Sequence, residues 1–289
     1  MSAASNPLFP GKAFIGTVLE VLETKTAMSG EVRRRYLQRA AMAGILIGLL
    51  YVTNYALIAT FDSVSFDGES LRSLGKVVGA ATFGWALVFI YYSKSELLTS
   101  NMMIVAIGGY HRRIGFWRAN RLLALCFLGN FLGGALVAVL IRFSTIIEGP
   151  VLAEMSAAAH HKMEFLTEGA AGWGDLLVRA ILCNFLINLA MLLVYNGRIQ
   201  EDITKMIVML VGIFIFVFLG FEHSVANTVL FSVVGLWENL DWGLASGNVI
   251  LALIGNYIGG GLLIGIYYAY VNDDAKYLRT RNKKVSQAN

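Results

Sequence analysis

Apolar runs of about 20 residues recur along this chain, and they limit what it can fold into. An α-helix needs about that length to cross roughly 30 Å of membrane hydrocarbon. Hydrophobic residues make up 57% of the 289 residues and charged residues only 15%, whereas a typical soluble domain is about 25% charged. The composition excludes an ordinary soluble domain and a disordered chain. We therefore expect an all-α membrane protein with several spans.

Six of the apolar runs are long enough to be spans, and two of them are interrupted by polar residues near their middle. The predicted spans cover residues 40–60, 77–109, 122–141, 176–195, 206–234 and 248–271, with interruptions near 94–99 and 220–223. This predicts three regions: an N-terminal segment (1–39), a six-span transmembrane domain (40–271) and a basic tail (272–289).

The basic residues predict the orientation. Most of the 23 Lys and Arg residues lie before span one, between spans two and three, between spans four and five, or after span six. Cytoplasmic loops of membrane proteins carry such an excess, so both termini are expected in the cytoplasm.

The first 39 residues lack the apolar core of a cleavable signal. The spacing of Phe14, Val18 and Leu22 predicts an amphipathic helix on the membrane surface or, alternatively, a solvated helix.

An internal repeat relates the two halves of the chain. Glu96 and Asn101 have the same spacing as Glu222 and Asn227, and the two pairs are 126 residues apart. The segments Gly-Asn-Phe-Leu-Gly-Gly at 129–134 and Gly-Asn-Tyr-Ile-Gly-Gly at 255–260 show the same offset. Each half holds three spans, so the halves must cross the membrane in opposite directions, as in inverted-repeat channels and transporters.

The interruptions are the first candidates for function. A helix broken inside the bilayer leaves backbone polar groups that must face protein or a water-filled cavity, and ionisable residues at such points are functional candidates. The sequence Gly-Phe-Glu-His-Ser-Val-Ala-Asn at 220–227 resembles the fifth-span signature of the formate/nitrite transporter family. Three further segments resemble other spans of that family. They are Lys-Ser-Glu-Leu-Leu-Thr-Ser at 94–100 for the second span, Ala-Ile-Leu-Cys-Asn at 180–184 for the fourth, and Gly-Asn-Tyr-Ile-Gly-Gly-Gly at 255–261 for the sixth.

The resemblance covers about residues 37–271, and it implies a fold and an activity. The fold would be an aquaporin-like protomer, with one pore in each subunit of a homopentamer in the bacterial inner membrane. The substrates would be small monovalent anions or their acids, such as formate, nitrite, hydrosulfide, acetate or lactate, with protons involved. Neither a cofactor nor nucleic acid is implied.

The resemblance also implies roles for individual residues. His223 matches the central pore histidine, Thr99 the loop threonine that faces it, and Lys162 a lysine in the outer vestibule. Asn184 and Asn256 match asparagines near the pore, as pore donors or as partners of backbone groups. The implied outer constriction is Phe83 and Phe216, and the implied inner constriction is Leu87, Leu97, Leu98 and Ile187.

Two features leave the substrate and the mechanism open. Leu98 stands where the family commonly has phenylalanine, which would widen the inner constriction and admit a larger acid. Glu96 and Glu222 would either relay protons or accept hydrogen bonds from the half-helix N–H groups. We expect Lys162 to attract an anion that then crosses as the neutral acid; direct passage of the anion, hydrogen-bonded by His223, is the alternative.

Formate is the first choice of substrate, followed by lactate or another short monocarboxylate, and then by nitrite and hydrosulfide.

Two other classes of function are disfavoured. A membrane enzyme would need a metal-ligand pattern, a Ser/His/Asp set or a nucleotide-binding loop, none of which occurs in the sequence. A water or glycerol channel would carry paired Asn-Pro-Ala motifs at the breaks, which the sequence lacks. Neither a metal nor any other cofactor is expected.

Overall fold

The computed structural model describes residues 7–275 and 277–281, and helices dominate it. The helices are α1 (Lys12–Glu31), α2 (Arg33–Asp62), α3 (Arg72–Phe83), α4 (Trp85–Tyr92), α5 (Leu98–Tyr110), α6 (Phe116–Arg142), α7 (Pro150–Thr167), α8 (Gly169–Tyr195), α9 (Asp202–Phe218), α10 (Ser224–Val234), α11 (Trp242–Asn256), a π-helical segment (Tyr257–Ile266) and α12 (Tyr267–Val271). Strands β1 (Ser65–Phe66) and β2 (Glu69–Ser70) pair antiparallel between α2 and α3.

The helices fit the predicted spans. Among the described residues, five stretches are long and apolar enough to cross a membrane: Arg33–Asp62, Arg72–Tyr92, Phe116–Arg142, Gly169–Tyr195 and Trp242–Val271. The predicted fifth span consists of two shorter helices, α9 with 17 residues and α10 with 11, separated by residues 219–223. With this broken pair included, the layout agrees with six spans and with the aquaporin-like arrangement.

Both predicted interruptions are present, and their backbones match. Gly220 has a φ of 67° and Lys94, at the same position of the repeat, has a φ of 57°. A left-handed backbone suits glycine and is unfavourable for other residues. Each of these residues therefore turns the chain out of one half-helix, and the next half-helix starts a few residues later. The two halves related by the 126-residue repeat thus have similar backbone conformations at their breaks, as well as similar sequences.

A buried asparagine holds each break in place. In the second half, the Asn256 amide oxygen accepts a hydrogen bond from the Ser224 N–H at 3.0 Å, and its nitrogen donates to the carbonyls of Glu222 at 2.9 Å and Ala180 at 2.8 Å. The first half repeats these three bonds with Asn130, Leu98, Glu96 and Ala40, at 3.0, 2.8 and 2.8 Å. The asparagines satisfy backbone groups that the broken helices leave open.

Close backbone contacts between spans also repeat. A β-carbon on Gly133 of α6 would lie 1.9 Å from the Ala41 carbonyl oxygen of α2, and one on Gly259 would lie 2.0 Å from the Ile181 carbonyl oxygen of α8. Only glycine permits this approach, and small residues let membrane helices pack closely. The first and third spans of each half are joined in this way.

Two helices outside the six spans complete the fold. Helix α1 buries Phe14, Val18 and Leu22 and packs mainly against α5, so its predicted apolar face contacts the protein itself. Helix α7, which no sequence pattern predicted, packs against α2, α8 and α11 in the connection between the third and fourth spans. Helix α2 begins at Arg33, so the expected boundary at residue 39 falls inside it. Much of the basic tail lies outside the described residues.

Candidate functional site

Two cavities lead towards a small chamber in the middle of the protein. We call the cavity on the side of α7, of about 240 Å³, the outer cavity and the one on the side of α1, of about 250 Å³, the inner cavity, after the predicted orientation. The chamber shares Phe83, Phe216 and His223 with the lining of the outer cavity and Leu87, Ile90 and Leu97 with that of the inner cavity. It therefore separates the two cavities along one pathway.

The chamber is narrow and almost entirely apolar. Its volume is about 20 Å³, close to the minimum that holds one water molecule. The Phe83 and Phe216 rings meet edge to face, with centroids 6.1 Å apart and planes at 87°. Its lining consists of Ile47, Phe83, Ala86, Leu87, Ile90, Leu97, Ile187, Ile213, Phe216 and His223. His223 is thus the single polar side chain among these lining residues.

The hydrogen bonds of His223 define which ring nitrogen carries the proton. Nδ1 lies 3.1 Å from the Ala226 N–H and accepts a hydrogen bond from it, at the start of α10. A neutral imidazole has one protonated nitrogen, so the proton is on Nε2, which lies 3.2 Å from the Thr99 Oγ1. A second proton on Nδ1 would break the bond to Ala226. The arrangement favours a neutral His223, whose ring stacks on Phe216.

Thr99 is in turn held by two asparagines of α8. Its carbonyl accepts hydrogen bonds from Asn184 at 3.2 Å and from Asn188 at 3.1 Å, and Asn184 also donates to the Asn256 carbonyl at 2.7 Å. Asn184 and Asn256 are buried, and neither is among the residues that line the three cavities. Of the two predicted roles, these contacts correspond to support of the backbone.

Lys162 reaches the outer cavity from α7 and forms a buried ion pair. Its Nζ lies 2.6 Å from the Glu222 Oε1, and the two side chains are 9% and 2% exposed. The other Glu222 oxygen accepts a hydrogen bond from Asn227. Lys162, the predicted vestibule lysine, thus lines this cavity, and its charge is shared with a carboxylate.

A matching ion pair lies at the inner cavity. Lys25 of α1 contacts the Glu96 carboxylate, which also accepts a hydrogen bond from Asn101 at 3.1 Å. Sequence reasoning missed Lys25. The repeat offset does not relate Lys25 to Lys162, because the two lysines come from different connecting segments, so no spacing in the sequence points to this pair.

The contacts of the two glutamates differ from the predicted hydrogen bonds to half-helix N–H groups. The N–H groups of Leu98 and Ser224 are bonded to Asn130 and Asn256 instead. Each glutamate bonds to one lysine and one asparagine side chain. Burying an ionised carboxylate without partners would be unfavourable, and these contacts remove that penalty.

Leu98 lies apart from the other residues of the predicted inner constriction. It is 2% exposed and does not line any of the three cavities, whereas Leu87, Leu97 and Ile187 line the chamber. The side chain of Leu97, which precedes α5, points to the pathway, and that of Leu98 in the first turn points into the protein. Replacing an aromatic residue at position 98 therefore does not directly widen the chamber.

The described residues contain no group of three or more His, Cys, Asp or Glu side chains arranged to hold a metal ion. Cys126 and Cys183 are buried free thiols. Cys126 contacts Asn101 and the Glu96 carbonyl, so it belongs to the support of the first break.

Comparison with known proteins agrees with this architecture. The profile described as "Formate/nitrite transporter" matches residues 13–270. The uncharacterized transporter YrhG of Bacillus subtilis is 31% identical over 249 residues, which cover 85% of this chain and 88% of YrhG. The formate channel FocA of Haemophilus influenzae is 28% identical over 255 residues, covering 80% and 85%.

Solved structures show the same fold. An FNT family ion channel superposes with a TM-score of 0.78 at 23% identity, covering 91% of this chain and all of the other. A pentameric formate channel with formate bound superposes with a TM-score of 0.66 at 19% identity, covering 83% and 98%. The profile match, spanning nearly the whole chain, shows that this protein belongs to the formate/nitrite transporter family.

Proposed function

We propose that the protein carries small monovalent weak-acid anions across the bacterial inner membrane together with a proton, with formate as the main substrate. The observation that carries the proposal is the neutral His223, bonded to the buried Thr99, in the wall of an apolar chamber between two cavities that each hold a lysine. Lactate or another short monocarboxylate, nitrite and hydrosulfide are the alternative substrates.

The charges and the chamber favour different forms of the substrate. Lys162 and Lys25 are paired with glutamates, but the lining of each cavity keeps an excess of basic side chains that attracts an anion. The outer cavity has Lys76, Lys162 and Arg179 against Glu222, and the inner one has Lys25, Arg39 and Lys94 against Glu96. An anion that enters the apolar chamber loses its hydration, at a cost of several kcal/mol or more. Uptake of one proton from the adjoining solution neutralises the carboxylate, whose pKa in water is near 4. The acid then crosses past the Nε2–H of His223 and releases the same proton on the other side.

The dimensions of the chamber favour the smallest acid. At about 20 Å³ it must open by side-chain movement for any of these substrates, and lactate needs more movement than formate. Since Leu98 does not line the chamber, it gives no reason to prefer a larger acid. The formate channel among the relatives supports the same order.

Orientation and assembly are part of the proposal. The distribution of Lys and Arg favours cytoplasmic termini, which makes the cavity next to α1 the cytoplasmic one. The pentameric formate channel of related fold supports a homopentamer in which each subunit has its own pathway.

Flux into proteoliposomes tests this function. Purified protein would be offered formate, lactate, nitrite and hydrosulfide, with and without an inward proton gradient. We expect formate uptake to be fastest, to rise with the gradient and to fall at least tenfold in His223→Ala. The control is His160→Ala, which removes a histidine that is half exposed and outside the three cavity linings.

Two results would contradict the proposal. Currents that do not depend on the proton gradient and that persist in His223→Ala would indicate an anion channel in which the histidine has a structural role. Swelling in glycerol without uptake of any of the four anions would indicate a neutral-solute channel.

A further inference from the structure

Helix α2 buries three polar residues within its largely apolar span. Tyr51, Asn54 and Tyr55 follow one another at i, i+3 and i+4, so they share one face of the helix, and we call them the α2 polar stripe. All three are largely buried and line the outer cavity. Polar side chains within a membrane span are retained where they face protein or a water-filled cavity, so this stripe marks a polar wall of the pathway.

The stripe contains hydrogen-bonding groups that the protein itself does not use. The Tyr55 hydroxyl donates to the Tyr51 hydroxyl at 3.1 Å. Each hydroxyl has one proton to donate. The Tyr55 proton is used in the bond to Tyr51, and the Tyr51 proton has no acceptor among the described residues. The amide oxygen of Asn54 is also buried without a donor among the described residues, but as an acceptor it cannot bind an anion's oxygen, so the spare donor of the stripe belongs to the tyrosine pair. Buried polar groups normally find partners.

The stripe stands directly outside the outer constriction. The Tyr51 ring packs against Phe83 with centroids 5.2 Å apart and against Tyr55 at 4.9 Å. Phe83 in turn meets Phe216, which stacks on His223. Aromatic contacts therefore run without a gap from the stripe to the centre of the pathway, and Lys162 lines the same outer cavity.

We propose that the Tyr51–Tyr55 hydroxyl pair of the α2 polar stripe is a binding subsite for the oxygen atoms of the substrate anion. The spare hydroxyl proton of the pair donates a hydrogen bond to a carboxylate or nitrite oxygen. The net positive charge of the outer cavity, lined by Lys76, Lys162 and Arg179 against Glu222, favours the anion there. This rests on the proposed function and adds the substrate class: anions with oxygen acceptors are favoured over hydrosulfide, since sulfur is a weak hydrogen-bond acceptor.

The test compares Tyr51→Phe and Tyr55→Phe with the wild-type protein in reconstituted vesicles. Tyr51→Phe keeps the ring that packs on Phe83 and removes only the hydroxyl. We expect it to raise the apparent KM for formate about three- to tenfold, the loss of one hydrogen bond, with the maximal rate within about twofold. Each single variant leaves one hydroxyl with a free proton, but only in Tyr55→Phe does that hydroxyl belong to Tyr51, beside Phe83. The KM of Tyr55→Phe should therefore rise less. Tyr267→Phe, on an exposed ring, is the matched control.

Hydrosulfide uptake separates a binding role from a packing role. In Tyr51→Phe, hydrosulfide uptake should stay within about twofold of wild type, so that the ratio of formate to hydrosulfide uptake falls. An unchanged formate KM, or an equal loss for both anions, would overturn the subsite. If wild-type protein carries none of these anions, the proposed function itself fails and the subsite with it. The thermal unfolding temperature of each variant shows whether the fold is intact.

Discussion

At the scale of the residue, the pathway depends on side chains that are fixed by specific partners. His223 is held as the Nε2–H tautomer by the Ala226 N–H, and its proton faces Thr99. The ring in the wall of the apolar chamber is therefore neutral, and a substrate would have to share its Nε2–H with Thr99. Thr99 depends on Asn184 and Asn188, so the central polar pair is supported by residues that do not line the pathway.

The buried Lys162–Glu222 pair should couple strongly. Lys162→Met leaves a buried carboxylate with only Asn227, and Glu222→Gln leaves a buried ammonium group. Each single change should reduce stability by about 3–5 kcal/mol, whereas the double variant, with neither charge, should recover most of that loss. Thermal unfolding of the four proteins in detergent measures the coupling.

The pair Lys205–Asp202 provides a control for that cycle. It spans 3.1 Å within one helix, and the Asp202 side chain is 67% exposed, so the same cycle should show much weaker coupling. A double variant of Lys162 and Glu222 that is as unstable as the sum of the single variants would mean that the two charges do not stabilise each other.

At the scale of the element, the breaks and the close contacts between spans are the features that shape the pathway. The half-helices end at left-handed residues and are joined to neighbouring spans by Asn130 and Asn256. The glycines that bring α2 against α6 and α8 against the sixth span fix the positions of those asparagines. Packing of spans and support of the breaks are therefore the same structural requirement.

Gly133→Ala should disrupt the fold. The added β-carbon would lie 1.9 Å from the Ala41 carbonyl oxygen, and backbone on both sides cannot move apart without separating α2 from α6. We expect a large loss of folded protein, measured as the fraction that elutes as a single species and as the unfolding temperature.

Gly109→Ala is the matched control for this change. Gly109 also lies in a helix, α5, but a β-carbon there meets nothing within 4 Å. Alanine is a better helix former than glycine by about 1 kcal/mol, so this variant should be as stable as wild type or slightly more stable. Equal behaviour of the two variants would contradict the close contact between α2 and α6.

At the scale of the whole molecule, the repeat gives two similar halves with different connections. Each half supplies one break, one supporting asparagine and one buried glutamate. The lysines that pair with the glutamates come from α1 and α7, which lie outside the repeat. Both ends of the pathway thereby acquire a buried ion pair, although the segments that provide the lysines are unrelated.

The complete assembly should be a pentamer. Many large apolar side chains are exposed on a single subunit, such as Leu140, Ile207 and Ile250, and both lipid and neighbouring subunits can cover them. Native mass measurement in mild detergent should give five times the chain mass of 31.6 kDa. A monomer as the main species under several detergents would contradict this assembly.

The sequence by itself determined the class of the protein, the six spans, the two breaks and the repeat, because each depends on local apolar length or on spacing along the chain. The family resemblance of its motifs also predicted pore roles for His223, Thr99, Lys162, Phe83 and Phe216, and these roles stay predictions. The tertiary structure decided which side chains meet: Lys25 with Glu96, Asn184 and Asn256 with backbone groups, and Leu98 away from the chamber. These contacts join residues from distant segments, and no periodicity within one segment encodes which face of a helix another segment covers.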